Sequence, residues 1–492
     1  MNEVVAISYS KEAIVYPSKS PYNPPKVYPE LAFNGLNFGV DEDNKVYELV
    51  RLSLYLAGLD KENYGTKFWN PFKELVKEGE IVFIKPNMIA EKHKFRDDWE
   101  YVVTHGSVIR PIVDYLYIAM NGKGRIIIGD GPQTDSNFWK IAKLIGLFEI
   151  QEAYNNLSKN FEVEIINLQD EYWITEDDVY EDTIKLVGDP RGRIFFNLAN
   201  DSCFSELDGL GRKYYGAFYD IDETNRAHSN GNHIYAIARS PIIADLFINV
   251  PKLKTHKKCG ITVNLKSLVG INANKNLLPH YTIGTPENGG DQFPKSNVKN
   301  KLENKIVLEA KKLLLTKNKL FQLLARKLKG LAYFIFGDTK EVIRSGNWYG
   351  NDTVWRMALD LNKILFYGNF DGTIRDNNPK KFFSVVDGII GMEGEGPYAG
   401  DPVRCGVIIA GFDPVAVDAV CAKLMGFDYR KVKLIYKSFE QKRLPITLLK
   451  YEDILCVSNN SSWNKRLIEI QYDDVFHFNA PLGWVGHIEL EP

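Results

Sequence analysis

A dense group of lysine and histidine side chains follows an apolar run that ends at Val250. Six such side chains occur within fifteen residues: Lys252, Lys254, His256, Lys257, Lys258 and Lys266. Gly260 and Asn264 lie among them, and small or polar residues of this kind let a ligand approach the backbone closely. Imidazoles and amines bind anions, transfer protons or ligate a metal. Together with His280 downstream, this segment predicts a site for an anionic ligand, with a row of solvated surface lysines as the alternative.

A second group of cations is expected where a strand ends and a helix begins. It consists of Lys85, Asn87, His105 and Arg110. The unpaired amides of a helix N-terminus favour phosphate or carboxylate nearby. We therefore expect this group to face the first one across a cleft, although a helix capped by Thr104 or Ser107 accounts for the same pattern.

Acidic side chains occur on two glycine-rich turns. Asp130 follows an apolar strand and is a candidate ligand for a metal or a hydroxyl group, whereas Asp135 is predicted to cap the next helix. Glu393 and Glu395 lie in a second turn and are candidates for an acid, a base or a metal ligand. A tight surface turn explains them equally well. Neither turn has the spacing of a Walker loop or a Rossmann dinucleotide loop, so no nucleotide is predicted.

These patterns define the candidate site residues. We predict catalytic roles for His105, His256, Lys266 and His280. Substrate or anion contacts are predicted for Lys85, Asn87, Arg110, Asp130, Lys252, Lys254, Asn264, Glu393 and Glu395. If a divalent metal is used, its predicted ligands are His256 and His280.

Short apolar runs alternate with helical patterns and must position these residues. The predicted strands are the N-terminal run, Ile81–Ile84, Arg125–Ile128, Val163–Ile166, Asp245–Val250, Phe382–Val386 and Val407–Ala410. The predicted helices are Ser107–Met120, Asn137–Phe148, Asp352–Tyr367 and Pro414–Met425. The last helix has Asp413 as a predicted cap and Gly426 at its end. Repeated strand-helix units predict an α/β fold with largely parallel sheets flanked by helices.

The length of 492 residues predicts two lobes with insertions. The expected segments are an N-terminal α/β lobe (1–166), an acidic and aromatic insertion (167–232), the strand and cationic motif (233–283), a Lys-rich helical insertion (284–337) and a C-terminal α/β lobe (338–492). Residues 305–336 have the pattern of a basic amphipathic helix. Such a helix can dock on a membrane surface, and a lid or a homodimer interface is the alternative.

Composition excludes several classes of protein. With 61 basic and 63 acidic residues, the chain has no net positive charge that would attract nucleic acid. No nucleic-acid partner is therefore expected. Its five cysteines form no C-x-x-C motif, so neither an iron-sulfur cluster nor a disulfide framework is expected. No secretory signal or membrane-spanning run is evident. We expect a cytoplasmic protein, with peripheral contact at the inner membrane surface as an alternative.

The motifs resemble those of a known family. The strings PKLKTH, GIT, LKSLVG and LPH between Pro251 and His280 resemble the central signature of the domain of unknown function 362 family. Further matches are IKPN from Ile84, THGSVIRP from Thr104, GDGP from Gly129, and VVDGIIGMEGEGPYAGDP with AGFDPVAVDA between Val385 and Ala419. The resemblance covers most of the chain but not the two insertions, and it implies no particular reaction.

The cationic motif is more distantly similar to the nickel-pincer lactate racemase family. That resemblance implies Lys266 as a cofactor anchor, and His256 and His280 as metal ligands or acid and base. Two departures argue against the cofactor itself. The Gly-Gly pair before the family's lysine is Asn264-Leu265 here, and the Pro-Gly pair expected after it is absent.

Taken together, the sequence predicts an enzyme with a cleft between two lobes. The cleft would hold a small anionic substrate for metal- or cofactor-assisted epimerisation or redox chemistry on a hydroxy acid or carbohydrate derivative. The alternative is a noncatalytic protein at the membrane surface that binds an anionic glycolipid or a nucleotide-sugar. A homodimer is compatible with either hypothesis.

Overall fold

The computed structural model describes residues 3–176, 179–216, 220–296, 309, 314, 318–324, 343–377 and 379–492. Within these residues the strands are β1 (Val4–Tyr9), β2 (Ile81–Pro86), β3 (Gly124–Asp130), β4 (Phe161–Asn167), β5 (Glu171–Glu176), β6 (Val179–Lys185), β7 (Arg193–Asn197), β8 (Tyr214–Tyr215), β9 (Ile234–Ala238), β10 (Leu246–Val250), β11 (Lys252–His256), β12 (Gly260–Thr262), β13 (Tyr281–Thr282), β14 (Lys381–Glu393), β15 (Asp401–Gly411) and β16 (Leu455–Ser458). The α-helices are α1 (Pro29–Phe33), α2 (Lys45–Leu56), α3 (Gly106–Ala119), α4 (Phe138–Leu144), α5 (Leu147–Asn155), α6 (Ile221–Ala227), α7 (Arg239–Ile243), α8 (Asn264–Ser267), α9 (Val354–Tyr367), α10 (Pro414–Leu424) and α11 (Lys433–Phe439).

A ten-stranded sheet forms the centre of the protein. Its strands follow the order β16-β1-β15-β14-β10-β2-β3-β4, and β11 pairs with β14 and with β12. Most neighbours are parallel, with antiparallel pairs at β1-β15, β14-β15 and β11-β12. The predicted α/β class with a mostly parallel sheet flanked by helices is therefore confirmed. Strands from both predicted lobes belong to this one sheet, because β1 lies between β15 and β16.

The strands form because their side chains are buried on both faces of the sheet, as in parallel sheets covered by helices. Along β3, Ile126 and Ile128 pack into one hydrophobic core, and Ile127 packs into the other. Neighbouring β2 repeats the alternation, with Ile84 in the first core and Phe83 in the second. All the predicted strands are present, several of them longer than predicted.

Three of the four predicted helices are single helices in the structure. Asp413 caps α10 by accepting from the amides of Val415 and Ala416, as predicted. The prediction of one helix over Asn137–Phe148 is wrong, since Gly146 has a φ of 72° and separates α4 from α5. This left-handed conformation interrupts the helix.

Two predicted caps are also wrong. His105, not Thr104 or Ser107, caps α3, and its ring accepts from the amide of Ser107. Thr104 instead donates its hydroxyl to the carbonyl of Val250 at 2.6 Å. Asn137 rather than Asp135 caps α4. These local contacts fix the start of α3 against the end of β10.

The segment 167–232, predicted to be an acidic and aromatic insertion, contains the antiparallel hairpin β5-β6. It also contains strand β7, which pairs with β9, and strand β8, which pairs with β13. Most of the predicted amphipathic helix at 305–336 lies outside the described residues. In the part of the chain that is described, no helix is both long and apolar enough to cross a bilayer.

Candidate functional site

A cleft of about 390 Å³ opens at the carboxyl ends of β2 and β3. This edge of an open parallel sheet is where ligands bind in many α/β proteins. The β11-β12 hairpin forms one wall, and the segment from Lys266 to Tyr281 forms another. Tyr398, in the loop after β14, contributes to the lining as well.

His256 reaches the cleft from the end of β11. It pairs with Gly260 across the hairpin, and Gly260 has a φ of 82°, which suits the tight turn between the strands. The Nδ1 atom of His256 accepts from the backbone amide of Lys258 at 3.1 Å. An amide can only donate, so a neutral His256 carries its proton on Nε2.

His280, just before β13, also lines the cleft and carries its proton on the other nitrogen. Its Nδ1 atom lies 2.8 Å from the carbonyl oxygen of Leu278. A carbonyl can only accept, so Nδ1 donates and Nε2 of a neutral ring has a free lone pair. Neither His256 Nε2 nor His280 Nε2 has a hydrogen-bond partner among the described residues.

Both imidazoles are held in the neutral form. Burial lowers the pKa of His256 well below its usual value, and the nearby Lys266 ammonium lowers it further. Burial and Lys266 act in the same direction on the pKa of His280. The cleft therefore holds, near neutral pH, one ring nitrogen that can donate a proton and one that can accept a proton.

Lys266 lies on α8, between the two histidines along the chain. The helix starts where the Asp418 carboxylate accepts from the amides of Asn264 and Leu265, at 2.8 and 3.1 Å. Lys266 is 7% exposed, and its amine has no hydrogen-bond acceptor within the described part of the chain. Burial lowers the pKa of this amine, and Lys85 contributes in the same direction.

Lys85 and Asp130 form an ion pair at the base of the cleft. Their Nζ and Oδ1 atoms are 2.9 Å apart, and both side chains are buried. Asp130 also accepts from the amides of Met88 and Gly131. The predicted candidate for a metal or hydroxyl ligand thus has its oxygens engaged by protein donors. Gly270 packs so closely that a Cβ atom there would lie 1.8 Å from Asp130 Oδ1.

Lys275 is a cleft residue that the sequence did not single out. Its amine donates to the carbonyls of Val269 and Asn272, at 2.8 and 2.9 Å. Burial lowers its pKa to about 7. Its position in the sequence could have indicated a role in the site, because Lys275 is the next cationic residue after Lys266 and precedes His280.

The lining carries an excess of positive charge. Four lysines line the cleft: Lys257, Lys258, Lys266 and Lys275. Among the residues described, Asp130 is the single carboxylate in the lining, and it already pairs with Lys85. A cavity with more buried amines than carboxylates favours an anionic ligand.

Two predicted site residues, His105 and Lys252, do not line the cleft. They are buried together with Tyr16 and Asp387, and we call these four residues the sealed cluster. Lys252 donates to Asp387 at 3.0 Å and to the Tyr16 hydroxyl at 2.5 Å. The His105 ring stacks on Tyr16, with centroids 4.3 Å apart. Burial, and then Lys252, lower the pKa of His105. The predicted meeting of His105 with His256 in one cleft does not occur.

Arg110 is likewise enclosed in the protein. It is fully buried, it pairs with Asp114 at 2.9 Å, and it donates to the carbonyl of Pro21. Its side chain does not line the cleft. The predicted facing of Arg110 toward Lys266 is therefore not present, because Arg110 is used to join α3 to the N-terminal loop.

The remaining candidates have structural partners. Lys254 donates to Asn87, Val102 and Pro397, and of these Asn87 and Pro397 line the cleft. Asn264 is buried and accepts from Asn249 and Ser384, outside the cleft lining. Glu393 accepts from both nitrogens of Asn479, and Glu395 accepts from the amide of Leu482. These two glutamates therefore bind the C-terminal segment, and neither lines the cleft.

No group of three or more His, Cys, Asp or Glu side chains that could hold a metal ion occurs within the described ranges. A metal bound by His256 and His280 would take its other ligands from substrate or water. The ionisable groups that the protein itself supplies to the cleft are therefore mainly imidazoles and amines.

Comparison with known families gives one match. The family model described as a domain of unknown function, DUF362, matches residues 82–189 and 198–423. A comparison with curated proteins found no match. The matched ranges contain every residue of the cleft assigned above, whereas the likeness to nickel-pincer racemases receives no support.

Proposed function

The chain belongs to the DUF362 family, and we propose that it is an enzyme that moves a proton on a small organic anion bound in the cleft. The substrate class is an anionic hydroxy acid or carbohydrate derivative, and the reaction is an epimerisation. His280 acts as the base, and His256 as the acid.

The complementary protonation of the two imidazoles carries this proposal. His280 Nε2 has a free lone pair, while His256 Nε2 carries a proton, and each ring is held by a backbone group at its Nδ1 atom. A positioned proton donor or acceptor contributes about 10²–10⁴-fold to a proton-transfer rate. The proton that His280 takes from the substrate returns through solvent to His256 Nε2, so both rings are restored after each turnover. Epimerisation requires this combination, because a proton leaves one face of a carbon and another arrives on the opposite face.

The charge of the lining supports the substrate class. An anion placed beside Lys275 and Lys258 gains from their positive charge, because the single carboxylate of the described lining, Asp130, is already paired with Lys85. The same positive charge stabilises the extra negative charge that develops as a C–H proton leaves. The lysines therefore favour both binding and the proton-transfer step.

The test measures exchange of substrate hydrogen with solvent. The protein is incubated in D₂O with a panel of 2-hydroxy acids and sugar acids, and deuterium incorporation is followed by NMR. We expect exchange with at least one member of the panel, and a loss of about 10²–10⁴-fold in His280→Gln. His487→Gln is the matched control, since His487 is exposed and stacks only on Tyr349 in the described structure.

Two results would count against the proposal. Exchange that is equally fast in His280→Gln would remove this residue as the base. Binding of panel members with no exchange at all would support the noncatalytic alternative instead.

A further inference from the structure

We propose that Lys266 is a nucleophile that forms an imine with a carbonyl group of the anionic substrate. This inference rests on the proposed function only in requiring that the cleft binds an organic anion. It narrows the substrate class to anions that carry an aldehyde or ketone, such as the open-chain form of a carbohydrate derivative.

The lack of a protein acceptor distinguishes Lys266 from the other buried lysines near the cleft. Lys85 pairs with Asp130, and Lys275 donates to two carbonyls. Lys254 donates to three oxygens. Lys266 lines the same cleft without any such acceptor among the described residues, so its nitrogen is available to a ligand.

The surroundings of Lys266 favour the reactive, unprotonated amine. Burial and the positive charge of Lys85 lower its pKa below that of an ordinary lysine. Lysines in such desolvated, cationic surroundings are the ones that attack carbonyl groups. Cys259 acts in the opposite direction, but its thiol is itself buried and has a pKa raised to about 12, so it is neutral near pH 7.

Imine formation balances with the groups present. The lone pair of Lys266 Nζ forms a bond to the carbonyl carbon as the C=O π bond breaks, and the Nε2–H group of His256 donates a hydrogen bond to the oxygen. His280 Nε2 takes one proton from the nitrogen and passes it to this oxygen, which gives a neutral carbinolamine. The nitrogen lone pair then expels the hydroxyl group, which takes a proton from solvent and leaves as water. The net reaction is amine plus carbonyl plus one solvent proton to protonated imine plus water, with no change in oxidation state.

The imine also explains how a weak carbon acid could react with His280. A protonated imine withdraws electrons from the adjacent C–H bond, so the proton can pass to a neutral imidazole. The electron pair is then held as an enamine until a proton returns. Covalent attachment of this kind divides one difficult step into two easier ones.

The test is reductive trapping of the full-length protein. The protein is treated at pH 7.5 with pyruvate, an anionic carbonyl compound, and cyanoborohydride, and adducts are mapped by peptide mass spectrometry. Parallel samples contain acetone, a neutral carbonyl compound. Each unit by which a lysine pKa is lowered raises its free-amine fraction about tenfold. We therefore expect more pyruvate adducts on Lys266 than on the exposed Lys140.

Lys380 is an internal control that needs no variant. Burial lowers its pKa to about 8, but its amine donates to the carbonyls of Ile242 and Ala244 and lies outside the cleft. Adducts on Lys266 but not Lys380, with much less from acetone than from pyruvate, would support the proposal. Modification of Lys266 at or below the level of Lys140 would overturn it.

Lys266→Arg keeps the charge but cannot form the imine, and the adduct should be lost. Deuterium exchange separates this inference from the proposed function. Exchange that depends on His280 without any adduct would leave the proton transfer standing and refute the imine. An adduct without exchange would support the imine and refute the epimerisation.

Discussion

Two groups of buried lysine and histidine residues differ mainly in how completely the protein satisfies them. In the sealed cluster, Lys252 has a carboxylate and a phenol as partners, and its His105 neighbour is stacked and hydrogen-bonded. In the cleft, Lys266 has no hydrogen-bond acceptor among the described residues. A buried lysine is therefore fully bonded within the protein in the sealed cluster, whereas in the cleft it is left able to bond to a ligand.

The difference shows that residue type alone does not identify a site. A buried charge with a full set of partners contributes to a fixed arrangement, whereas a buried amine without an acceptor leaves an interaction that a ligand can complete. Substitutions in the two groups should accordingly affect different properties, namely stability in the sealed cluster and ligand chemistry in the cleft.

The largest expected effect is a loss of stability in Asp387→Ala. This change leaves Lys252, which is fully buried, without its counter-charge. Breaking a buried ion pair from one side costs about 3–5 kcal/mol. We expect a correspondingly lower midpoint of urea unfolding, measured by circular dichroism.

Lys266→Met is the matched change in the cleft. It removes a buried amine that has no hydrogen-bond acceptor in the described structure, so the unfolding midpoint of the variant should equal or exceed that of the wild type. The comparison between the two groups fails if Lys266→Met is as destabilising as Asp387→Ala.

Most of the fold could be predicted because its signals are local. Apolar runs such as Ile81–Ile84 gave the buried strands, and the Asp413 cap gave α10. The sequence does not show that β1 lies between β15 and β16, because this pairing joins segments some 400 residues apart. Such long-range pairing depends on tertiary packing rather than on local propensity.

The candidate site was predictable only in part. The motif from Pro251 to His280 identified His256, Lys266 and His280, all of which line the cleft. His105 was assigned to the same cleft because it lies at an element end, but its ring instead packs on Tyr16. Whether a polar side chain has a partner in the folded protein depends on residues distant in sequence. The spacing of residues within a motif cannot predict such a partner.

Gly270→Ala should have the next largest effect and should act on the cleft itself. The added Cβ atom would lie 1.8 Å from Asp130 Oδ1 and 3.0 Å from Lys85 Cε, so the ion pair must shift. Overpacking of this kind costs about 1–3 kcal/mol. We expect a lower unfolding midpoint together with slower deuterium exchange, and wild-type values for both would show that the pair does not organise the cleft.

The smallest expected effect at pH 4 concerns Asp418, a second buried carboxylate, whose surroundings differ from those of Asp387. Asp387 faces a lysine, whereas Asp418 accepts from the amides of Asn264 and Leu265 at the start of α8. Burial raises the pKa of Asp418 to about 7. In the unfolded chain an aspartate has a pKa of about 3.9.

The sign of the pH dependence follows from these two values. Between pH 4 and 7 the folded protein keeps a proton that the unfolded chain releases, so this group lowers the free energy of unfolding as pH rises. Asp418→Asn loses one hydrogen-bond acceptor, at a cost of about 1 kcal/mol at pH 4, but it does not titrate. We therefore expect the deficit of the variant in urea unfolding to shrink, and then reverse, as pH rises toward 7. Parallel profiles for the two proteins would mean that Asp418 is ionised throughout this range and that the amides of α8 alone hold its charge.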